Sequence, residues 1–458
     1  MTSIDVLTSE TMHRGAKLFM DRGDAVSYGN ALDILRRFRL QIAVGPEIAA
    51  SEAAQVALLT AVNIGHRAFL GGVRVTGCAE GPSLTPLAGG WSLRQAITSL
   101  GGMLVDYIDP DIPLVLIGDV EAPPGNCPAW RATWDGWTGG AVPVSSGIRL
   151  AEAGKVHLAA VLAAAAAIGE AFQLLSCDCA YGGRRAVGLS LWNPLQNWLD
   201  QSSVSPEIGW LPSRLWLIGV GNLGQTYLWC LGAMPYAKPC DVRLVVQDDD
   251  VIEPSNESTS LLSHRAIVGM RKARAIAWAE RIGFVTIIEE RRFGTWTHRS
   301  DEAEDPAVAL CGVDNAHARM ALEDAGFSLV VEAGLGAGPQ GYRSLSIHTF
   351  PARRTAREVW RRVLNATAAT DPSLLPAYRA AIATGMDQCG VAMLASRTVG
   401  VPFVGAIAAA LAISELLRRI HGGIGCETVA ATMACLEEVE FVPAGPHTPY
   451  LFGTTVIR

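Results

Sequence analysis

A short apolar run, Leu215-Trp216-Leu217-Ile218, breaks into Gly219-Val220-Gly221-Asn222-Leu223-Gly224, continues as a helical stretch from Gln225 to Met234, and leads to a second apolar run, Val242 to Val246. Strand, glycine turn, helix and strand in that order open a parallel α/β sheet. Further strands are expected at Ala307 to Cys311 and Ser328 to Glu332, and an apolar helix at Pro402 to Ile420. The first half repeats the plan. Leu40 to Val44 ends at Gly45, a helix is expected from Ser51 to His66, Gly72 to Thr76 matches the second strand, and Pro113 to Val120 matches Pro306 to Val313. Leu158 to Leu175 mirrors Phe403 to Ile420, with Glu170 and Glu415 at the same phase of two alanine-rich helices. Five matches in one order imply an internal duplication.

Two pseudo-symmetric, doubly wound Rossmann-like α/β domains are therefore expected, at about 1–200 and 201–458, with Leu189 to Ser213 as the connector. The 458 residues suffice for both, and with 50% apolar and 18% charged residues each half can build a core. The copies differ at the turn. Gly45-Pro46-Glu47-Ile48-Ala49 loses a phosphate-facing N–H to proline and gains a repelling carboxylate, so the first copy is expected to hold no nucleotide.

A formal charge of −7 argues against a nucleic-acid surface. Val156 to Leu175 carries Glu170 and Gln173 and reads as a buried core helix rather than a membrane span. The acidic, polar N-terminus lacks a signal layout, and ten cysteines without a regular framework or paired CxxC motifs fit a reducing, cytoplasmic setting. Cys230 and Cys311 fall inside expected elements and read as core.

The glycine pattern alone is shared with dehydrogenases. The residues C-terminal to it narrow the chemistry: Asp248-Asp249-Asp250 at a strand end, Asn256, Lys272 in Gly269-x-x-Lys272-Ala273, Asp314 in Val313-Asp314-Asn315-x3-Arg319, and Glu332-Ala333-Gly334. A single acid suffices for a nicotinamide dinucleotide's ribose, whereas several acids suit a ribose plus a magnesium-bearing triphosphate. An acidic loop at a strand end would show the same aspartates.

Over about residues 213–442 this series resembles the ThiF/MoeB/ubiquitin-activating family, which adenylates the C-termini of ubiquitin-like proteins. The resemblance implies ATP and Mg2+. Gly219, Gly221 and Gly224 would form the phosphate turn, Asp248 would hold the ribose, Asp250 would be a further nucleotide-binding residue, Asn256 and Lys272 would contact phosphates, and Asp314 would hold the metal. It also implies two partners, a ubiquitin-like protein and a conjugating-enzyme-like protein, with no nucleic acid or membrane; a homodimer is left open. One departure stands out. The family usually has an arginine three residues after the asparagine, where this chain has Thr259. The family often supplies a second arginine from the partner domain's N-terminal helix, which makes Arg14 the candidate replacement, with Arg22 behind it.

Met386-Asp387-Gln388-Cys389 resembles the Asp-Gln-Gln-Cys segment of autophagy-type activating enzymes, which makes Cys389 the candidate thioester nucleophile, with Arg397 near in sequence to favour the thiolate. In the family the region of Arg353, Arg354, Arg357, Arg361 and Arg362 crosses the active site and guides the substrate tail; a solvated arginine face would read the same. Two alternatives stay open, a pseudoenzyme scaffold that binds a ubiquitin-like protein without activating it and an NAD(P)-dependent oxidoreductase; a sulfur-carrier activator is a variant within the activating reading.

Overall fold

The computed structural model describes residues 7–77, 81–124, 127–200, 206–274, 277–300, 305–364, 374–445 and 453–458. The first sheet is built from β1 (Leu40–Val44), β2 (Val73–Thr76), β3 (Gly102–Leu104), β4 (Leu114–Ile117), β5 (Ala129–Asp135), β6 (Thr138–Pro143) and β7 (Val187–Ser190), in the order β3-β2-β1-β4-β5-β6-β7. After β8 (Trp210–Pro212) the second sheet takes β9 (Arg214–Ile218), β10 (Arg243–Gln247), β11 (Val285–Glu289), β12 (Val308–Cys311), β13 (Leu329–Leu335), β14 (Ser344–Phe350), β15 (Cys426–Thr432) and β16 (Cys435–Pro443). Its order is β11-β10-β9-β12-β13-β14-β15-β16. The two orders correspond strand for strand, and the second sheet adds β16 at its edge.

In both sheets the strands up to β5 and β13 pair in parallel and the remainder antiparallel. The central registers match too, with Ile42 between Val75 and Val115, and Leu217 between Val246 and Leu310. These strands read as continuous apolar runs because parallel sheets are covered on both faces. The expected α/β fold of two doubly wound halves is therefore the observed one.

The helices Glu52–Ala68, His157–Leu175, Asn222–Ala233 and Pro402–Ile420 pack on one another between the sheets. One hydrophobic cluster runs through all four, and Phe172 of the first half meets Phe403 of the second at 5.4 Å between ring centroids. His157–Leu175 is the one helix among the described residues long and apolar enough to cross a membrane, and it lies buried in this core. Each long helix carries its matched acid inward. Glu170 accepts the Gly183 N–H at 2.7 Å and lies 3.7 Å from Arg185. Glu415 accepts from Arg418 at 2.5 Å, from Arg419, and from the Cys426 N–H at 3.0 Å. Losing that carboxylate would leave two buried guanidinium charges with the Leu191 and Cys426 carbonyls but without their counter-ion, a cost of about 3–5 kcal/mol.

The expected connector is partly ordered into the sheets. Ser190 ends β7, β8 pairs antiparallel with β17 (Thr454–Val456), and residues 201–205 lie outside the described part.

Candidate functional site

The candidate site forms at the carboxyl ends of β9, β10 and β12, where an open parallel sheet leaves a crevice beside its central strands. Gly219 holds φ +81, and a Cβ there would meet Val313 Cγ1 at 2.7 Å. A Cβ on Gly224 would lie 2.0 Å from the Gly219 carbonyl oxygen. Both glycines are thus required for the turn to close against its neighbours. Gly221 differs, because a Cβ there meets nothing within 4 Å. That open side faces the start of the helix Asn222–Ala233, whose first backbone N–H groups have no partner within the helix.

Asp248 closes one side of the turn, accepting the Val220 N–H at 2.6 Å and the Asp250 N–H at 2.8 Å. Burial pushes its carboxyl above the usual aspartate range, against the pull of Lys272. Lys272 arrives through its backbone N–H on the Asp250 carbonyl at 2.8 Å and places Nζ 2.9 Å from Asp250 Oδ2. Asp248, Asp249 and Asp250 gather their carboxylates within 4.8 Å of one another. Asn256 sits in the loop beyond, its Oδ1 accepting the Glu253 N–H at 2.9 Å.

Asp314 lies on the turn that packs against Gly219. Its position is fixed from behind by Arg319, whose Nε donates to the Val313 carbonyl at 2.7 Å and stands 3.2 Å from the buried Glu332. Glu332 in turn meets His348 Nδ1 at 2.9 Å, and the Arg319 guanidinium lies 4.1 Å over the Trp360 ring. Asn315 caps the helix Ala316–Met320 by accepting from the His317 and Ala318 N–H groups. The Asp314 side chain itself is exposed toward a cavity of about 210 Å3, which it lines with Arg14, Met393, Ser396, Arg397 and Thr398.

Arg14 reaches this cavity from the opposite end of the chain. Its N–H donates to Ser258 Oγ at 3.1 Å, its carbonyl accepts from Gly400 N–H at 3.4 Å, and its Nη1 donates to the Thr398 carbonyl at 3.2 Å. Thr259 is the near neighbour: a Cβ on Gly400 would touch Thr259 Cγ2 at 2.8 Å and Arg14 Cβ at 3.2 Å. Burial, then the charge of Arg397, lowers the Arg14 pKa to about 10, so the group remains protonated at neutral pH. Arg22 is elsewhere, held by Asp24 at 2.9 Å and Asp178 at 3.3 Å.

Cys389 is exposed near the start of the helix Gln388–Ser396, one turn before Met393 of the cavity. Arg397 caps the far end of that helix, about 12 Å along the axis from Cys389. Cys230 and Cys311 are buried, as their place in helix and strand implied, and burial pushes the Cys311 thiol up to about 12. Of the arginine series, Arg353 pairs with Glu427 at 3.2 Å and Arg357 with Asp324 at 2.9 Å, while Arg361 and Arg362 are exposed on the helix Ala356–Leu364.

Sequence reasoning missed the clamp that the first half applies to the Asn256 loop. Thr60, Asn63 and Arg67 share one face of the helix Glu52–Ala68, at the i, i+3, i+7 spacing. Thr60 accepts from Trp229 Nε1 at 3.0 Å, and Asn63 donates to the Leu261 carbonyl at 3.1 Å. Arg67 donates to the carbonyls of Glu257 at 2.5 Å, Leu261 at 2.8 Å and Ser263 at 3.1 Å. The spacing of Thr60, Asn63 and Arg67 along one face of this helix was the available signal.

At the matching place in the first sheet, Glu47 fills the space. It accepts the Asp119 N–H and pairs with Arg149 at 2.7 Å, and a Cβ on Gly45 would lie 2.3 Å from Glu47 Oε2 and 2.5 Å from Asp119 N. A side chain at Gly45 would therefore collide with the Asp119 backbone.

Sequence models of two domains match this chain, the BilD N-terminal domain over residues 39–191 and the BilD C-terminal domain over residues 211–423. The bacterial E1-like protein BilD of Collimonas sp. (strain OK412) is 52% identical over 450 residues, spanning 98% of this chain and 97% of its own length. The chain belongs to the BilD family. The two BilD domain matches fall one on each sheet, and Gly219 through Arg397 lie in the C-terminal one, whereas Arg14 precedes both. Among solved structures, E. coli MccB is similar at 10% identity and a TM-score of 0.32, over 53% of this chain and 64% of that one. The E. coli tRNA N6-threonylcarbamoyladenosine dehydratase TcdA, solved in complex with AMP, is similar at 12% identity and a TM-score of 0.30, over 46% of this chain and 86% of its own.

Proposed function

We propose that this chain activates the C-terminal carboxylate of a ubiquitin-like protein by adenylation with ATP, takes the acyl group on Cys389, and hands it to a conjugating-enzyme-like protein in the cytoplasm. The observation that carries the reading is the meeting of Arg14 with Asp314 in one cavity beside the second glycine turn. The E1-like description of the Collimonas relative agrees with it. In this reading residues from about 201 to 458 form the active unit. Those up to about 200 form an inactive one, because Glu47 occupies the place of an anion.

A carboxylate is a poor electrophile until a leaving group is attached to it. Its oxygen attacks the α-phosphorus of ATP, the bond between the α-phosphorus and the bridging oxygen breaks, and pyrophosphate leaves. The thiolate of Cys389 then attacks the carbonyl carbon, the acyl–oxygen bond breaks, AMP departs, and the thiol proton passes to solvent. Asp248 accepts from the ribose hydroxyls, the Gly221 side of the turn lets backbone N–H groups approach the phosphates, and Asn256, Lys272 and Arg14 meet phosphate oxygens. The exposed Asp314 carboxylate, facing a cavity rather than a protein partner, has the hard oxygen donor that Mg2+ favours. Mg2+ held there would draw off charge as the phosphate bond breaks. Arg319 keeps Asp314 in place without touching substrate.

Exchange of labelled pyrophosphate into ATP, dependent on the ubiquitin-like partner, tests the proposal. The Asp314→Ala variant should lose it while remaining folded, and exchange within about threefold of wild type would overturn the assignment of Asp314. A folded wild type with no exchange would leave a binding scaffold in place of an enzyme.

A further inference from the structure

Arg397 ends the helix Gln388–Ser396: its N–H bonds to the Leu394 carbonyl and its ψ of 140 turns the chain out of the helix. The turn brings the guanidinium to the cavity lined also by Arg14 and Asp314. Its ion pair with Glu253, at 3.5 Å, is long for a charged hydrogen bond, and the side chain keeps about a third of its surface (32%). Two guanidiniums thus converge on a small space whose described lining offers a single carboxylate. Like charges so placed repel, and after burial the Arg397 charge is the largest influence lowering the Arg14 pKa. Glu253 and Asp314 partly offset that repulsion, and an anion with several oxygens placed between the two guanidiniums would offset it further, since arginine's planar fork suits phosphate oxygens. Thr259, a buried side chain beside Arg14, brings no charge of its own to this place.

We infer that Arg397 is a second phosphate-binding residue, which closes with Arg14 on the terminal phosphates of ATP and supplies the cation that Thr259 does not. This rests on the adenylation reading and extends it to the recognition of the triphosphate end. The same geometry makes Arg397 a sensor of how many phosphates are bound. AMP lacks the groups it would hold, whereas ATP and inorganic pyrophosphate carry them. Because Arg397 caps the helix that bears Cys389, the departure of pyrophosphate removes a tie on that helix when the thiol is needed.

Calorimetric titration of the full chain with ATP, AMP and pyrophosphate in the presence of Mg2+ tests the inference. Arg397→Ala should weaken ATP and pyrophosphate by about tenfold or more and leave AMP unchanged, as for loss of a charged hydrogen bond. Arg397→Lys should recover part of the loss, since a point charge replaces the fork. In the doubly substituted Arg14→Ala, Arg397→Ala chain the losses should fall short of multiplying, because both groups act on one phosphate. A uniform loss for all three ligands, or an ATP affinity within about twofold of wild type, would overturn the role of Arg397 and leave the adenylation reading standing. Wild type that binds none of the three would overturn both.

Discussion

Replacing Arg14 with alanine separates what this residue does for the fold from what it does for ATP. Two of its three contacts are made by the backbone, the N–H to Ser258 Oγ and the carbonyl from Gly400, and alanine keeps both. The side chain gives up one charged hydrogen bond, to the Thr398 carbonyl; at 3.2 Å and in contact with solvent it is worth less to stability than a well-formed one of about 1.5–3 kcal/mol. A charged contact to a terminal phosphate is worth about 1.5–3 kcal/mol, which is roughly 10- to 150-fold in affinity or rate. The kinetic loss should therefore exceed the stability loss. Pyrophosphate exchange measured across ATP concentrations should show a raised KM for ATP or a lowered rate by more than about tenfold, with thermal unfolding nearly unchanged. Unaltered exchange by a folded Arg14→Ala chain would refute the reasoning, and Arg14 would then be a tie between the Ser258 and Thr398 segments. Arg22 would not inherit the role, since Asp24 and Asp178 hold it away from the cavity.

Cys389→Ala should keep pyrophosphate exchange and lose a reductant-sensitive adduct with the ubiquitin-like partner on a non-reducing gel; Cys389→Ser should give an adduct that survives reductant but yields to mild base. An adduct that persists in the alanine variant would assign the thioester to another residue. Gly221→Val should block ATP binding while leaving the fold intact, because a Cβ there enters open space on the phosphate side; unchanged ATP affinity would move the nucleotide away from this turn. Acidification should weaken ATP binding at a higher pH than an ordinary aspartate would, since burial raises the Asp248 carboxyl and protonation removes the acceptor for the ribose. The same raised pKa acts oppositely on stability: the folded chain binds this proton more tightly than the unfolded one, so the contribution of Asp248 declines as pH rises through that interval. Asp248→Asn should flatten the pH dependence of the ATP Kd, and a profile identical to wild type would exclude Asp248 as its source.

The duplicated order was legible because strands covered on both faces show as unbroken apolar runs, and because alanine-rich helices with one inward glutamate are unusual enough to match across halves. Less legible were the later antiparallel strands. β6 carries Gly139 and Gly140 in place of a branched pattern, and β16 carries Glu437, Glu438 and Glu440 on an exposed edge. Asp248 and Asp314 could be placed because each follows a strand end, of β10 and β12, whereas Lys272 reaches the same turn only by folding back on Asp250. Arg397 was read from its nearness to Cys389 in the chain, but a helix separates residues at its two ends and the structure turns Arg397 to Arg14 instead. Glu47 was read as a group that would repel phosphate. Its partners Asp119 and Arg149 come from distant loops, so its actual place in that space needed the fold. The Arg67 clamp was hidden for the same reason, since its acceptors are backbone carbonyls, which sequence does not mark.

The face formed by Thr60, Asn63 and Arg67 has a consequence for stoichiometry. A half that has lost its own turn still holds the loop of Asn256 through three carbonyls, and contributes Arg14 besides. Were the halves separate proteins, the fraction of complete sites would follow the dilution of each and the balance of their synthesis. Joined in one chain, each meets its counterpart at an effective concentration set by the connector rather than by expression, and the ratio is one to one in every molecule. In the proposed reading, the first half then serves the second half's site through these side chains rather than through a nucleotide of its own.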